Sequence, residues 1–172
     1  MSSVEETIEV AVPVSTAYNQ WTQFKSFPRF MTVVKRVEQI RPNLTRWVVG
    51  FGPLRHEFDA EIVDQRPDSL VTWRSLGARA GHRGEVSFRA TGPGRTEVAV
   101  RIDFRSSGTP GLRTHAAGFA RRTVRAELGH FKEFIEGLGQ EGGAWRGAIR
   151  DGHVRPVEPE PVRCRVPHWP VG

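Results

Sequence analysis

Few side chains in this sequence are placed to move a proton. With alternate residues of R-H-E-F-D-A-E-I-V-D-Q (55–65) on opposite faces, only His56 and Asp64 join Phe58, Ala60 and Ile62 on the apolar side. His56 reads as a proton shuttle, because an imidazole titrates near neutrality, or as an exposed histidine at a strand end. Arg66, at the other end of the segment, reads as a group that polarises a carbonyl or as a solvated strand-end residue. The sequence contains no paired carboxylates, no H-E-x-x-H, no G-x-S-x-G and no phosphate-binding glycine loop. Its one cysteine, Cys164, leaves no intrachain disulfide framework and no cysteine-rich zinc site, and no cofactor is called for. Any catalysis would therefore rest on holding and orienting a reactive ligand, with one or two polar groups assisting.

The residues suited to that holding are aromatic. The chain has 16 aromatics, 10 Phe, 5 Trp and 1 Tyr, and Tyr18, Trp21, Phe24, Phe27 and Phe30 stand together in Y-N-Q-W-T-Q-F-K-S-F-P-R-F-M, which ends at Met31. Trp21 and Phe24, three apart, suit burial against a sheet as structural anchors. Phe27, Phe30 and Met31 read as the rim of a ligand pocket or as core, with Pro28 fixing the short helix that presents them. Trp47, Phe51, Phe58, Trp73, Phe88 and Phe119 are cavity lining if the fold encloses space, and plain core otherwise.

Elements to position these residues follow from periodicity and turn signals. Residues 4–12 (V-E-E-T-I-E-V-A-V) alternate as a half-buried strand that stops at Pro13, and Ser15 can cap a short helix running to Gln23. A second short helical segment spans about 26–31. Strands are expected at 33–41, 46–51, 55–65, 70–75, 83–90 and 96–105, separated by Pro, Gly and Asn turns, which implies an antiparallel meander. One face of these strands is almost purely apolar. The other mixes charge signs strand by strand, as solvent-facing cross-strand ion pairs do.

From Leu112 the period changes. Ala116, Phe119, Ala120, Val124, Leu128, Phe131, Ile135 and Leu138 recur at spacings of three and four, an amphipathic helix with Thr109 as N-cap and Pro110 at its first position. Its polar face carries Arg121, Arg122, Arg125 and Lys132, read as a solvated face or as an attraction for an anionic carrier or membrane. Beyond Gly139 the composition turns to Pro and Arg without a usable period. The organisation expected is a ligand-binding domain over 1–140 and a flexible tail over 141–172, whose Trp145 pins its first turns back onto the body.

The formal charge of +6 invites a nucleic-acid reading, but the 25 basic residues are spread along the whole chain and no helix-turn-helix, zinc-finger or RNP signature accompanies them. No apolar run reaches the roughly 18–20 residues of a membrane span. Acidic residues stand where a secretory signal would be basic, so a cytoplasmic protein is expected.

In this order, a strand, two short helices, a meander and a long helix resemble the helix-grip superfamily. That group, often labelled SRPBCC, includes birch-pollen-allergen-like, START-related and polyketide cyclase/dehydrase proteins. The specific carriers are residues 4–31, then D-A-E-I-V-D-Q-R-P-D-S-L-V-T-W-R-S (59–75) and H-F-K-E-F-I-E (130–136), with G-A-W-R-G (143–147) similar to a cyclase/dehydrase subgroup. The resemblance implies an α+β fold with an antiparallel curved sheet of about six to seven strands wrapped around the long C-terminal helix. It further implies a deep cavity between sheet and helix, roofed by the two short helices, for a hydrophobic or aromatic small molecule. Polyketide cyclase/dehydratase activity and non-catalytic lipid, quinone or metabolite transfer are both implied as activities, and an acyl carrier protein as one means of delivery. In the aromatic polyketide cyclases an aromatic before a proline lines the cavity, matched here by Phe27. Where those enzymes use an arginine near the end of a central strand, this sequence offers Gln65 and Arg66; where they carry tryptophans on that strand, it departs from the pattern with Ala60, Glu61 and Ile62.

Overall fold

An antiparallel sheet grips one long helix in a computed structural model that describes residues 2–51, 53–77, 81–104, 110–139 and 145–155. The chain opens with β1 (Ser2–Val10), α1 (Val14–Trp21) and a 3₁₀ turn (Phe24–Arg29). Next come β2 (Val34–Arg41), β3 (Leu44–Phe51), β4 (Leu54–Arg66), β5 (Leu70–Leu76), β6 (His82–Gly92) and β7 (Arg95–Phe104). Helix α2 (Pro110–Leu138) crosses the sheet, and β8 (Ala148–Arg150) and β9 (His153–Arg155) form a closing hairpin. The strand order is β1-β7-β6-β5-β4-β3-β2, with β8 paired to β4 and β9 to β8. Among the described residues the sheet thus has nine strands, more than the six or seven expected, because two three-residue strands are too short to show a period.

The apolar stripe of α2 packs on the concave face of the sheet. Phe131 and Ile135 are fully buried and share a core with Leu128, Val10, Val98 and Val100. Burial of such side chains contributes roughly 1.5–3 kcal/mol each, and sets the depth at which the helix sits. Its polar face is fixed to β1: Arg125 Nη2 lies 3.1 Å from Glu6 Oε1, and Lys132 Nζ donates to the Glu9 carbonyl at 2.9 Å. The helix ends where Gly139 takes φ +67° and its N–H donates to the Ile135 carbonyl at 2.9 Å, a left-handed cap suited to glycine. On the opposite, solvent-facing side of the sheet, Arg46–Asp59, Arg74–Glu61 and Arg89–Glu97 pair across neighbouring strands.

Three local readings are corrected by the structure. Helix α1 starts at Val14 with Pro13 as its cap residue; the Pro13 carbonyl accepts the Ala17 N–H, and Ser15 lies inside the first turn. Strand β4 carries a bulge between Ile62 and Asp64, so strict alternation fails beyond Ile62. Asp64 turns outward to pair with Arg66 at 3.2 Å, and Gln65 turns inward with 1% exposure. Finally, the segment taken as tail from residue 141 contains the ordered β8–β9 hairpin, anchored by fully buried Ile149, while residues 140–144 and 156–172, including Cys164, lie outside the described residues. Arg146 holds the start of this hairpin with two bonds to Asp68 (2.7 and 2.9 Å) and one to Asn19, its guanidinium 5.6 Å from the Tyr18 ring centre.

Candidate functional site

Between the sheet and α2 lies a cavity of about 430 Å³. Its sheet wall is built by inward residues of β3, β4, β5 and β7, chiefly Trp47, Phe58, Ile62, Trp73 and Val100, with His82 from the start of β6. Trp21, Phe24, Phe27 and Met31, from α1, the 3₁₀ turn and the residues just after it, form the roof, and Phe119, Val124, Glu127 and Leu128 of α2 close the remaining side. Rings form a continuous path across the site: Phe27 meets Trp47 edge-on at 5.3 Å, Trp47 and Phe58 lie parallel at 6.4 Å, and Phe58 meets His82 edge-on at 4.8 Å. The Trp47 indole N–H is satisfied by Thr45 Oγ1 at 2.7 Å, which leaves the ring surface for packing. Opposite Trp73 in the ladder stands Gly84, and a Cβ there would come within 2.1 Å of the indole. Glycine is what lets that ring lie across β6.

The polar lining is sparse: Thr45, Thr123, His82 and Glu127. His82 heads β6 on the same face as Val86 and Phe88, and burial, aided by nearby His56, holds its imidazole below the usual histidine range. It therefore presents a neutral ring with one donor and one acceptor nitrogen. Glu127 is 7% exposed, and burial pushes its carboxyl above the ordinary range against the opposing pull of His130 and the Thr32 and Val33 backbone N–H groups. Its Oε1 accepts from Thr32 N at 3.3 Å and lies 3.3 Å from His130 Nδ1, whereas Oε2 has no hydrogen-bond partner among the described residues. A flat apolar guest would find broad ring surfaces and two groups able to exchange a proton.

The chain matches, over residues 10–133, the family model described as polyketide cyclase/dehydrase and lipid transport. It belongs to this family. A Streptomyces lincolnensis relative, named as an uncharacterized 17.2 kDa protein of the melC2-rnhH intergenic region, is 46% identical over 87% of this chain and 99% of its own. A Deinococcus radiodurans crystal structure shares 31% identity with a TM-score of 0.61, covering 80% of this chain and 99% of that one. The Zhui aromatase/cyclase of Streptomyces sp. R1128 superposes with a TM-score of 0.70 at 18% identity, over 83% of this chain and 98% of its own, a likeness of fold. A START superfamily protein of Mycobacterium smegmatis does so at 0.64 and 18%, over 80% and 97%. The polyketide cyclase/dehydrase family and the helix-grip architecture expected from the sequence are thus both established for this chain.

Within this family frame, Phe27, Met31, Trp47, Phe58, Trp73 and Phe119 all line the cavity, and the supposed anchors Trp21 and Phe24 line it too while remaining buried. Phe30 and Phe88 are not among the lining residues. Phe30 stacks on Phe134 at 4.7 Å, and Phe88 packs edge-on against Tyr18 at 5.5 Å. The side chain of Phe51 lies outside the described residues. His56 is exposed beside Phe58, and Arg66 is exposed in its pair with Asp64; neither lines the cavity. The rim is also not where the sequence suggested. Phe27 and Met31 are buried, and the most exposed lining side chain is Phe119, at 48%, on the first half of α2.

His82 and Glu127 escaped the sequence reading, though both left a trace. His82 lies four and six residues before Val86 and Phe88 and so shares their parity, which a strand begun at Arg83 cuts off. Glu127 lies three after Val124 and four before Phe131, a carboxylate on the apolar stripe of its helix.

Proposed function

We propose that this chain binds a flat, ring-bearing, predominantly apolar small molecule in the cavity between its sheet and α2. The observation that carries this is the cavity itself: about 430 Å³ bounded by Trp21, Phe24, Phe27, Trp47, Phe58 and Trp73, with four polar residues in its lining. A polyketide-like or other aromatic metabolite fits such walls. Delivery on an acyl carrier protein and a cytoplasmic location belong to the same reading and rest on the family likeness and the sequence. Native mass spectrometry of the purified protein tests it. A stoichiometric apolar adduct, lost on denaturation, is the expected result; repeated recovery of ligand-free protein that takes up no added aromatic would refute it.

A second reading, ring closure with loss of water, is favoured by His82. A neutral imidazole in the wall can take a proton from a methylene flanked by carbonyls. The resulting carbon nucleophile attacks a ketone carbon of the same chain, and the new alkoxide oxygen takes the proton back. The hydroxyl then departs as water with a hydrogen from the adjacent ring carbon. This assigns the proton carrier to His82 in place of His56 and Arg66, which are exposed outside the lining. With a linear poly-β-ketone as substrate, His82→Ala should lose turnover yet keep product affinity, and His56→Ala and Arg66→Ala should match the wild type. Full turnover in His82→Ala would rule this reading out.

A further inference from the structure

Glu127 is the least expected group in the site, a carboxyl set into an apolar wall. Its two oxygens are treated unequally. Oε1 receives the Thr32 N–H at 3.3 Å and has His130 Nδ1 at 3.3 Å. Oε2 is buried without a partner among the described residues. A buried carboxylate oxygen left unpaired is costly, and buried carboxylates are ordinarily satisfied by donors. Of the lining side chains, Met31, Val33, Val124 and Leu128 are apolar, and Thr123, one turn earlier in α2, spends its hydroxyl proton on the Phe119 carbonyl at 2.9 Å. Burial pushes this carboxyl upward, and the Thr32 N–H and His130 at Oε1 oppose that. With Oε1 already engaged as an acceptor, Oε2 is the oxygen left open, and a donor placed there offsets the cost of burying the ionised form.

We propose that Glu127 selects the ligand: the molecule bound in this cavity carries a hydrogen-bond-donating oxygen, a phenol or an enol, that reaches the unpartnered carboxylate oxygen. This deepens the binding function proposed above and rests on it. Ring surfaces supply most of the affinity by excluding water. Glu127 then discriminates between guests of the same shape, because an ether or a bare hydrocarbon leaves Oε2 as unsatisfied as before. The group on the guest is weakly acidic and neutral, since a second anion beside this carboxylate would be repelled.

The test uses the full chain and three probes of one shape: naphthalene, 2-naphthol and 2-methoxynaphthalene, with dissociation constants from equilibrium dialysis. Glu127→Leu should weaken 2-naphthol roughly ten-fold, the scale of a hydrogen bond to a charged group, and leave naphthalene unchanged or slightly tighter. Glu127→Gln keeps an acceptor for Thr32 and puts an NH₂ where Oε2 stood. It should therefore shift preference from 2-naphthol toward 2-methoxynaphthalene, a reversal that a purely structural role would not produce. Equal changes for all three probes, or unchanged preferences in both variants, would overturn the assignment while leaving cavity binding intact. Failure of the wild-type protein to bind any of the three would overturn the binding function and, with it, this inference.

Discussion

The Gln65 side-chain amide donates to the Tyr18 hydroxyl at 3.0 Å, joining β4 to α1 in a region sealed from solvent. The bond exists because the bulge after Ile62 turns Gln65 inward, at the place where alternation alone would have turned Asp64. It ties the roof of the cavity to its sheet wall, since α1 carries Trp21 and β4 carries Phe58 and Ile62.

Removing the hydroxyl should loosen that tie. Tyr18→Phe leaves the Gln65 amide, whose Oε1 already has no partner among the described residues, without an acceptor for Nε2. The expected cost is about 1–3 kcal/mol in urea unfolding. The double variant Tyr18→Phe/Gln65→Leu should cost less than the sum of the single changes, because it removes the stranded amide as well. Additive losses would mean that the two groups do not act as a pair.

Tyr18 is the only tyrosine, so its ionisation can be followed directly by absorbance. Burial pushes its hydroxyl from 10.0 up to about 12, against smaller opposing effects of Gln65 and Arg146. The raised value favours the neutral phenol in the folded state. Its contribution to stability is therefore complete below pH 10 and is lost as pH rises from 10 through 12. Alkaline titration should give a tyrosinate midpoint near 12 in the native protein and near 10 in urea. The fall in stability across that interval should be shallower in Tyr18→Phe.

Glu127 predicts a second pH dependence, at the acid end. Its carboxyl is raised by burial, so its contribution favours the fold below the unfolded value of about 4.5 and is lost as pH rises through the folded value. Glu127→Gln removes the titration. Between pH 4 and 7, thermal midpoints of the variant should gain on those of the wild type. A constant offset at every pH would contradict this.

Gly84 tests the geometry of the sheet wall. Gly84→Ala places a methyl group against the Trp73 indole, which must move into the cavity or away from it. A loss of about 1–3 kcal/mol is expected from the forced repacking, together with a changed tryptophan emission. An unperturbed spectrum and stability would show that Trp73 does not lie over β6 as described.

Much of this arrangement could be read from residue order. The alternation through Phe58, Ala60 and Ile62 and the three-four spacing of Val124, Leu128, Phe131 and Ile135 identified the faces that meet around the cavity. What escaped depended on geometry that a period does not encode. The bulge in β4 exchanged Gln65 for Asp64, and only tertiary pairing reveals a one-residue slip. The β8–β9 hairpin is stabilised by its dock on β4 and by Arg146, not by its own composition. His82 lies one residue before the strand expected from Arg83, and Glu127 is a carboxylate within the apolar stripe of α2, so neither is marked by an apolar period. Trp21 and Phe24 were split from Phe27 as anchors, although in a fold that encloses space one side chain can serve as both core and lining.

Ala60 offers the direct test of whether the cavity is a binding site. Ala60 lies in the sheet wall, 3% exposed, between the inward side chains of Phe58 and Ile62. Ala60→Trp should fill part of the space that a guest would take. Equilibrium dialysis with naphthalene should show one saturable equivalent bound to the wild type and none to an Ala60→Trp variant that retains cooperative thermal unfolding. Uptake that does not saturate, or that persists undiminished in the folded variant, would contradict a binding function for this cavity.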